Sequence, residues 1–77
     1  MVKVFMQEIA LKNIVWQEGK YFVAQCLNID ISSFGETREE ALVNLNEALQ
    51  LFFEDASPDQ IQQVENPEIV TTSLIRA

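Results

Sequence analysis

Histidine is absent from the chain, cysteine occurs once, glycine and proline twice each, and Lys plus Arg number five. Each scarcity removes a class of function. Without histidine there is no Ser–His–Asp relay, and with Cys26 as the lone thiol there is neither a recognisable zinc site nor an intrachain disulfide. Gly19 and Gly35 stand alone in the sequence, so no glycine-rich loop cradles a phosphate. The few basic residues are scattered, and the formal net charge is −7. That balance argues against a binder of nucleic-acid backbone, which gains affinity from Lys and Arg releasing counterions. A basic protein partner is the electrostatically favoured kind. No apolar run reaches the roughly 18–20 residues that span a bilayer, so no membrane partner is expected.

The length sets a further limit. Seventy-seven residues make one domain, 1–77, which buries only about 60–65% of its unfolded surface. Domains of that size often need a supplement. Disulfides and zinc are excluded, so self-association is expected. The N-terminal MVKVFMQEIALKN carries Glu8 in its apolar portion and has no small-residue cleavage site. It does not read as a signal peptide, and the cytoplasm is the default location.

Residues Val2 to Leu11 alternate in a way that suits a strand covered on both faces. The apolar parity is odd at Ile9 and Leu11 and even at Ile14 and Trp16. A bulge near Lys12–Asn13 would absorb the change within one continuous strand. Glu18–Gly19 is expected to close a hairpin, glycine supplying the positive φ of a tight turn. A two-residue loop there pairs Trp16 with Tyr21 and Ile14 with Val23. One face then carries Ile14, Trp16, Tyr21 and Val23, and the other Val15, Phe22, Ala24 and Cys26. The small side chains of Ala24 and Cys26 leave room for a helix on their side. A third strand is expected over about Asp30 to Phe34.

The stretch after Gly35 is the clearest local signal. Ala41, Leu42, Leu45, Ala48, Leu49 and Phe52 fall on one helical stripe. Thr37 precedes it and Glu40 follows three residues later, the pattern of a capping box. Ala56–Ser57–Pro58–Asp59 should end the helix near Glu54–Asp55, because proline cannot continue one. A polar connector with room for one helical turn follows. Glu68 to Ile75, EIVTTSLI, is rich in β-branched residues and predicts a last strand. The order is βββαβ, an α+β fold with one helix on one sheet face and the last strand parallel to the first if it docks beside it.

That arrangement leaves Ile14, Trp16, Tyr21 and Val23 without a covering layer, and exposed apolar patches of this kind mark interaction surfaces. Burying all four would contribute on the order of 6–12 kcal/mol before association entropy. These four are the candidate interface. Candidate chemistry is otherwise sparse. Cys26 faces the core by strand parity and has no histidine to activate it. Glu36, Glu39 and Glu40 cluster where the helix macrodipole favours negative charge, which accounts for them without a metal. Trp16, Tyr21 and Phe34 lack the basic groove that base stacking accompanies. No catalytic, cofactor or metal residue is assigned, and no enzymatic activity is expected.

Three stretches carry a resemblance: Gly19–Cys26 (GKYFVAQC), Phe34–Thr37 (FGET), and Glu40–Leu49 (EALVNLNEAL). Together they resemble the HicB family of antitoxins. The resemblance implies a partial RNase H-like fold of βββαβ order, with sheet order 3-2-1-4 and the helix on one face. It also implies a partner, a small basic HicA-type toxin that cleaves messenger RNA and is neutralised by occlusion. Many members carry a C-terminal helix-turn-helix or ribbon-helix-helix module. None is expected here, where the last strand runs to the end of the sequence, so operator binding is not carried over. Three readings follow: an antitoxin-like binder, a metal-dependent nuclease on the same frame, and a solitary homo-oligomeric interaction module with a non-toxin partner. A dimer or tetramer is expected in either binding role.

Overall fold

The computed structural model describes residues 8–76. Within it the element order is β1 (Asn13–Glu18), β2 (Tyr21–Cys26), β3 (Ile31–Gly35) and α1 (Arg38–Asp55), followed by a 3₁₀ turn at Pro58–Gln60. The three strands form one antiparallel sheet in the order β1-β2-β3, and α1 packs on one face of it. The protein is a small α+β domain with a three-stranded antiparallel sheet and one helix.

The helix begins as its sequence dictates. Thr37, in extended backbone, accepts a hydrogen bond from the Glu40 amide at 3.0 Å through its hydroxyl. The reciprocal half of the box is displaced by one residue. The Glu40 carboxylate accepts from the Glu36 amide at 3.3 Å, which satisfies a donor just before the cap. Ala41, Leu45 and Leu49 are buried, as their stripe requires. The helix ends at Asp55, with Ala56 donating its backbone N–H to the Phe52 carbonyl at 3.0 Å.

Contact with the sheet is made through small residues. Ala24 and Cys26 on β2 are fully buried with Ala41 and Leu45, and Leu49 completes the core. Leu11, Val15, Phe22, Ile29, Ile31 and Leu42 pack around it. Gly35 marks the closest approach. A Cβ there would lie 2.6 Å from Ala41 N and 2.9 Å from Glu40 C, both backbone atoms that cannot swing aside. The helix packs chiefly on β3, then β2, and least on β1.

The β1–β2 hairpin differs from the expected pairing by two residues. Its loop is Gly19–Lys20, with Glu18 opposite Tyr21, Trp16 opposite Val23 and Ile14 opposite Gln25. Gly19 takes φ +58° as the first loop residue, the position where a type II′ turn needs glycine. A Glu18–Gly19 loop would instead ask Glu18 to adopt positive φ under type I′ geometry. A shift of two residues preserves side-chain parity, so both faces carry the residues assigned to them.

Two other expected elements differ. The first strand begins at Asn13 among the described residues. Glu8–Lys12 is not strand, and the part of the expected strand before Glu8 lies outside the described residues. The Lys12 carbonyl still accepts from the Leu27 amide at 2.8 Å, but the Lys12 amide donates to the Asn28 side-chain oxygen at 2.7 Å, so an asparagine side chain takes the place of a strand partner for that N–H. The β1–β2 register is unbroken from Asn13 to Glu18, and no bulge is needed there. The change of parity reflects two apolar faces, with Leu11 and Val15 against the core and Ile14 and Trp16 on the other side.

The predicted last strand, Glu68–Ile75, is not strand and pairs with no strand among the described residues. Ile69 is 92% exposed and Ile75 fully so, and Val70 and Leu74 are also exposed. The chain turns away from the body at Asn66, whose φ of +51° is left-handed, and Pro67 follows. β-branched composition supplies an extended preference but no edge to pair with. The sheet of the described residues therefore has three strands and not four.

Asn28 is the buried polar residue of the body. Besides binding the Lys12 amide, it donates from Nδ2 to the Gln62 carbonyl at 2.7 Å, and its own carbonyl accepts from the Gln62 amide at 3.0 Å. The connector after the helix is fastened there, and again where Lys12 Nζ donates to the Val64 carbonyl at 2.7 Å.

Three substitutions test these contacts. Thr37→Ala should cost about 1 kcal/mol through loss of the cap. Gly35→Ala should cost more, about 1–3 kcal/mol or above, because its Cβ meets backbone rather than a mobile side chain. Urea unfolding of both variants ranks them, and a Gly35→Ala protein as stable as wild type would contradict the close approach. Asn28→Ala should cost about 1–3 kcal/mol by orphaning buried partners. It should also speed proteolytic cleavage between residues 61 and 66, which limited digestion reads directly.

Candidate functional site: the open face of the sheet

Because side chains alternate along each strand, the face opposite α1 is fixed by the register. Ile14, Trp16 and Glu18 come from β1, Tyr21, Val23 and Gln25 from β2, and Ser32 and Phe34 from β3. All four candidate interface residues, Ile14, Trp16, Tyr21 and Val23, share this face. Trp16 lies directly across from Val23, and Val23 directly across from Phe34, which makes an apolar row over the sheet.

Phe34 joins this face, and sequence reasoning left it out of the interface set. The signal was present as the alternation of Ile31 and Ser33 with Ser32 and Phe34. It became usable only once β3 had a register against β2. Phe34 is 65% exposed and Tyr21 51%, and their rings meet edge to face, centroids 6.2 Å apart at 83°. That geometry suits the ring quadrupoles and holds both aromatics in place with much of their area in solvent. Beside them lies a depression of about 420 Å³ lined by Glu18, Tyr21, Val23, Ser32, Ser33 and Phe34.

Exposure sets how much association could gain here. Trp16 is 38% exposed, and Ile14 and Val23 are half-buried. Part of the apolar area on the four candidate residues has thus left water already. The remaining gain is nearer half the full-burial figure, on the order of 3–6 kcal/mol at 1.5–3 kcal/mol per fully buried side chain. Phe34 adds to it. This is enough to drive association only when the partner surface is also apolar and well matched.

The charged residues are arranged without convergence. All twelve Asp and Glu residues are exposed, and among the described residues the one ion pair is Arg38–Glu39 at 3.4 Å, in solvent and of little energetic weight. Glu54 and Asp55 stand at the C-terminal end of α1, where no basic residue offsets them and the macrodipole disfavours negative charge. Among the described residues no three His, Cys, Asp or Glu side chains are grouped so as to hold a metal ion. Cys26 is a buried free thiol on the helix-facing side of β2. No helix of the described residues is long and apolar enough to cross a membrane.

No curated protein and no solved structure matches the chain. One family pattern does, over residues 7–73, a span that takes in the whole sheet, the helix, the Asn28 fastening and most of the segment after Pro67. That coverage is most of the chain, and the protein belongs to that family, a family of unknown function, DUF7387.

Proposed function

We propose that this protein is an antitoxin-like binding protein of HicB type, which neutralises a small basic HicA-type toxin by occluding it. The observation that carries the reading is the acidic exterior: every acidic side chain is exposed, and Glu39 alone among them is ion-paired within the described residues. A surface of that sign steers a basic protein and repels nucleic acid. The resemblance supports it from a second direction. Its motif residues make up β2, the β3–α1 turn with Gly35, and the capped helix, which is the scaffold of the domain. In this reading the sheet is that of a partial RNase H-like fold, with order 3-2-1-4 and the fourth position beside β1. The protein works in the cytoplasm by binding, without catalysis or cofactor.

Co-expression with the small basic gene next to its own, followed by affinity purification, tests the reading. The expected outcome is a complex stable in moderate salt, together with loss of the partner's messenger-RNA cleavage. Failure to form a complex, or the absence of any such neighbouring gene, would remove it.

A second reading, a solitary homo-oligomeric module with a non-toxin partner, is favoured by the apolar row on the open face. Replacing Trp16 or Tyr21 with Glu places a carboxylate in that row, at a cost several times the screened energy of a surface charge. Light scattering should then report a lower mass than wild type. An unchanged mass in both variants means that this face is not a self-association surface.

A further inference from the structure

We infer that Glu68–Ile75 is a donor strand, which completes the sheet of a second copy of this chain by pairing with the open edge of its β1. The proposal rests on the fourth sheet position described above and says which chain fills it. Four observations carry it.

The first is the arm itself. Ile69, Val70, Leu74 and Ile75 are exposed at 92, 76, 84 and 101%. Apolar residues fall on both parities of the segment, as in a strand covered on two sides. The radius of gyration is 16.1 Å and the long dimension 69 Å, against about 11.5 Å expected for a compact domain of this length. Much of the molecule lies outside its body.

The second is the available edge. The β3 edge is attended by the helix, which packs on it most closely, and Asn44 Nδ2 donates to the Phe34 carbonyl at 2.8 Å. Among the described residues the β1 edge has no strand beside it. Where α1 overhangs β1 least, an apolar groove of about 310 Å³ opens between Ile9, Leu11, Leu49 and Phe53. Side chains of an added strand on the helix side of β1 would enter it. Unpaired edges of this kind recruit strands from other chains.

Third, the hinge directs the arm outward. Val64 is held at the start of β1 by Lys12, and Asn66 then takes the left-handed conformation immediately before Pro67. Residues preceding proline favour extended backbone, so this hinge is a strained one, and every residue described beyond it is exposed. Hinges like this lend themselves to exchange between identical chains.

The fourth is charge. The arm is bounded by Glu68 and Arg76, and β1 by Lys12 and Glu18. Parallel pairing that sets Glu68 beside Lys12 carries Arg76 two residues past Glu18, whereas antiparallel pairing that sets Glu68 at the far end of β1 opposes it to Glu18, a like charge. Eight extended residues reach about 26 Å, ample for a six-residue strand of about 20 Å.

Amide hydrogen exchange on the full chain at low and high protein concentration tests this. The expected result is exchange of residues 69–75 at least about tenfold slower in the concentrated sample, lost on dilution as mass action requires. Val70→Pro, which deletes a backbone donor at an exposed position, should abolish the protection and lower the mass. Protection independent of concentration would overturn exchange and leave the four-strand order standing, with the arm on its own chain. No protection at any concentration would overturn both. Val70→Pro retaining the full concentration-dependent mass would also overturn the donor role. Trp16→Glu should leave the protection in place, which separates the arm from the open face, and toxin binding is read independently by co-purification.

Discussion

The close approach of α1 to the sheet depends on three residues with almost no side chain: Ala24 on β2, Gly35 at the end of β3, and Ala41 one turn into the helix. A Cβ on Gly35 would press to within 2.6 Å of the Ala41 nitrogen. The helix therefore begins hard against β3, and its cap at Thr37 falls in the short turn that this contact defines. From that anchor Leu45 and Leu49 descend onto Ala24 and Cys26, and the core follows. The same anchor biases the helix toward β3 and leaves β1 thinly covered. The groove beside Leu11 is thus a consequence of where the glycine is.

The helix and the sorting of the hairpin faces were readable from the sequence for different physical reasons. The helix announces itself locally, through a capping residue and a stripe whose period belongs to no other structure. The hairpin faces were readable because parity survives any even shift of register. Individual cross-strand pairs were not, since Glu18-Gly19-Lys20 admits glycine at either loop position and the choice turns on which neighbour must take positive φ. Ile14, Trp16, Tyr21 and Val23 could be grouped on one face for that reason, while Phe34 needed the β2–β3 register.

Asn28 illustrates what local patterns leave hidden. Its partners are backbone groups 16 and 34 residues away, and nothing in the neighbouring sequence distinguishes it from an ordinary loop asparagine. Yet it ends the β1–β2 ladder and fastens the connector. The segment Glu68–Ile75 shows the converse. Its composition signals a strand strongly, but strand propensity measures fit to a half-buried pleated surface, and the described residues provide no such surface to it.

These features share one cause. Among the described residues the buried core consists of Ala24, Cys26, Ala41, Leu45 and Leu49, of which two are large. A core that small contributes little against the conformational entropy of ordering a chain of this length. Phe22, Ile29, Ile31 and Leu42 pack around it only half-buried, and other large apolar side chains lie further out, as Trp16, Tyr21 and Phe34 on the open face and as Ile69, Val70, Leu74 and Ile75 on the arm. Those two surfaces are geometrically independent. A strand added at the β1 edge extends the sheet in its own plane, so it neither covers nor competes for the face that carries Trp16. A partner on that face would instead meet a sheet one strand wider. A chain with both surfaces can therefore use one to complete itself with its own kind and keep the other for a different protein.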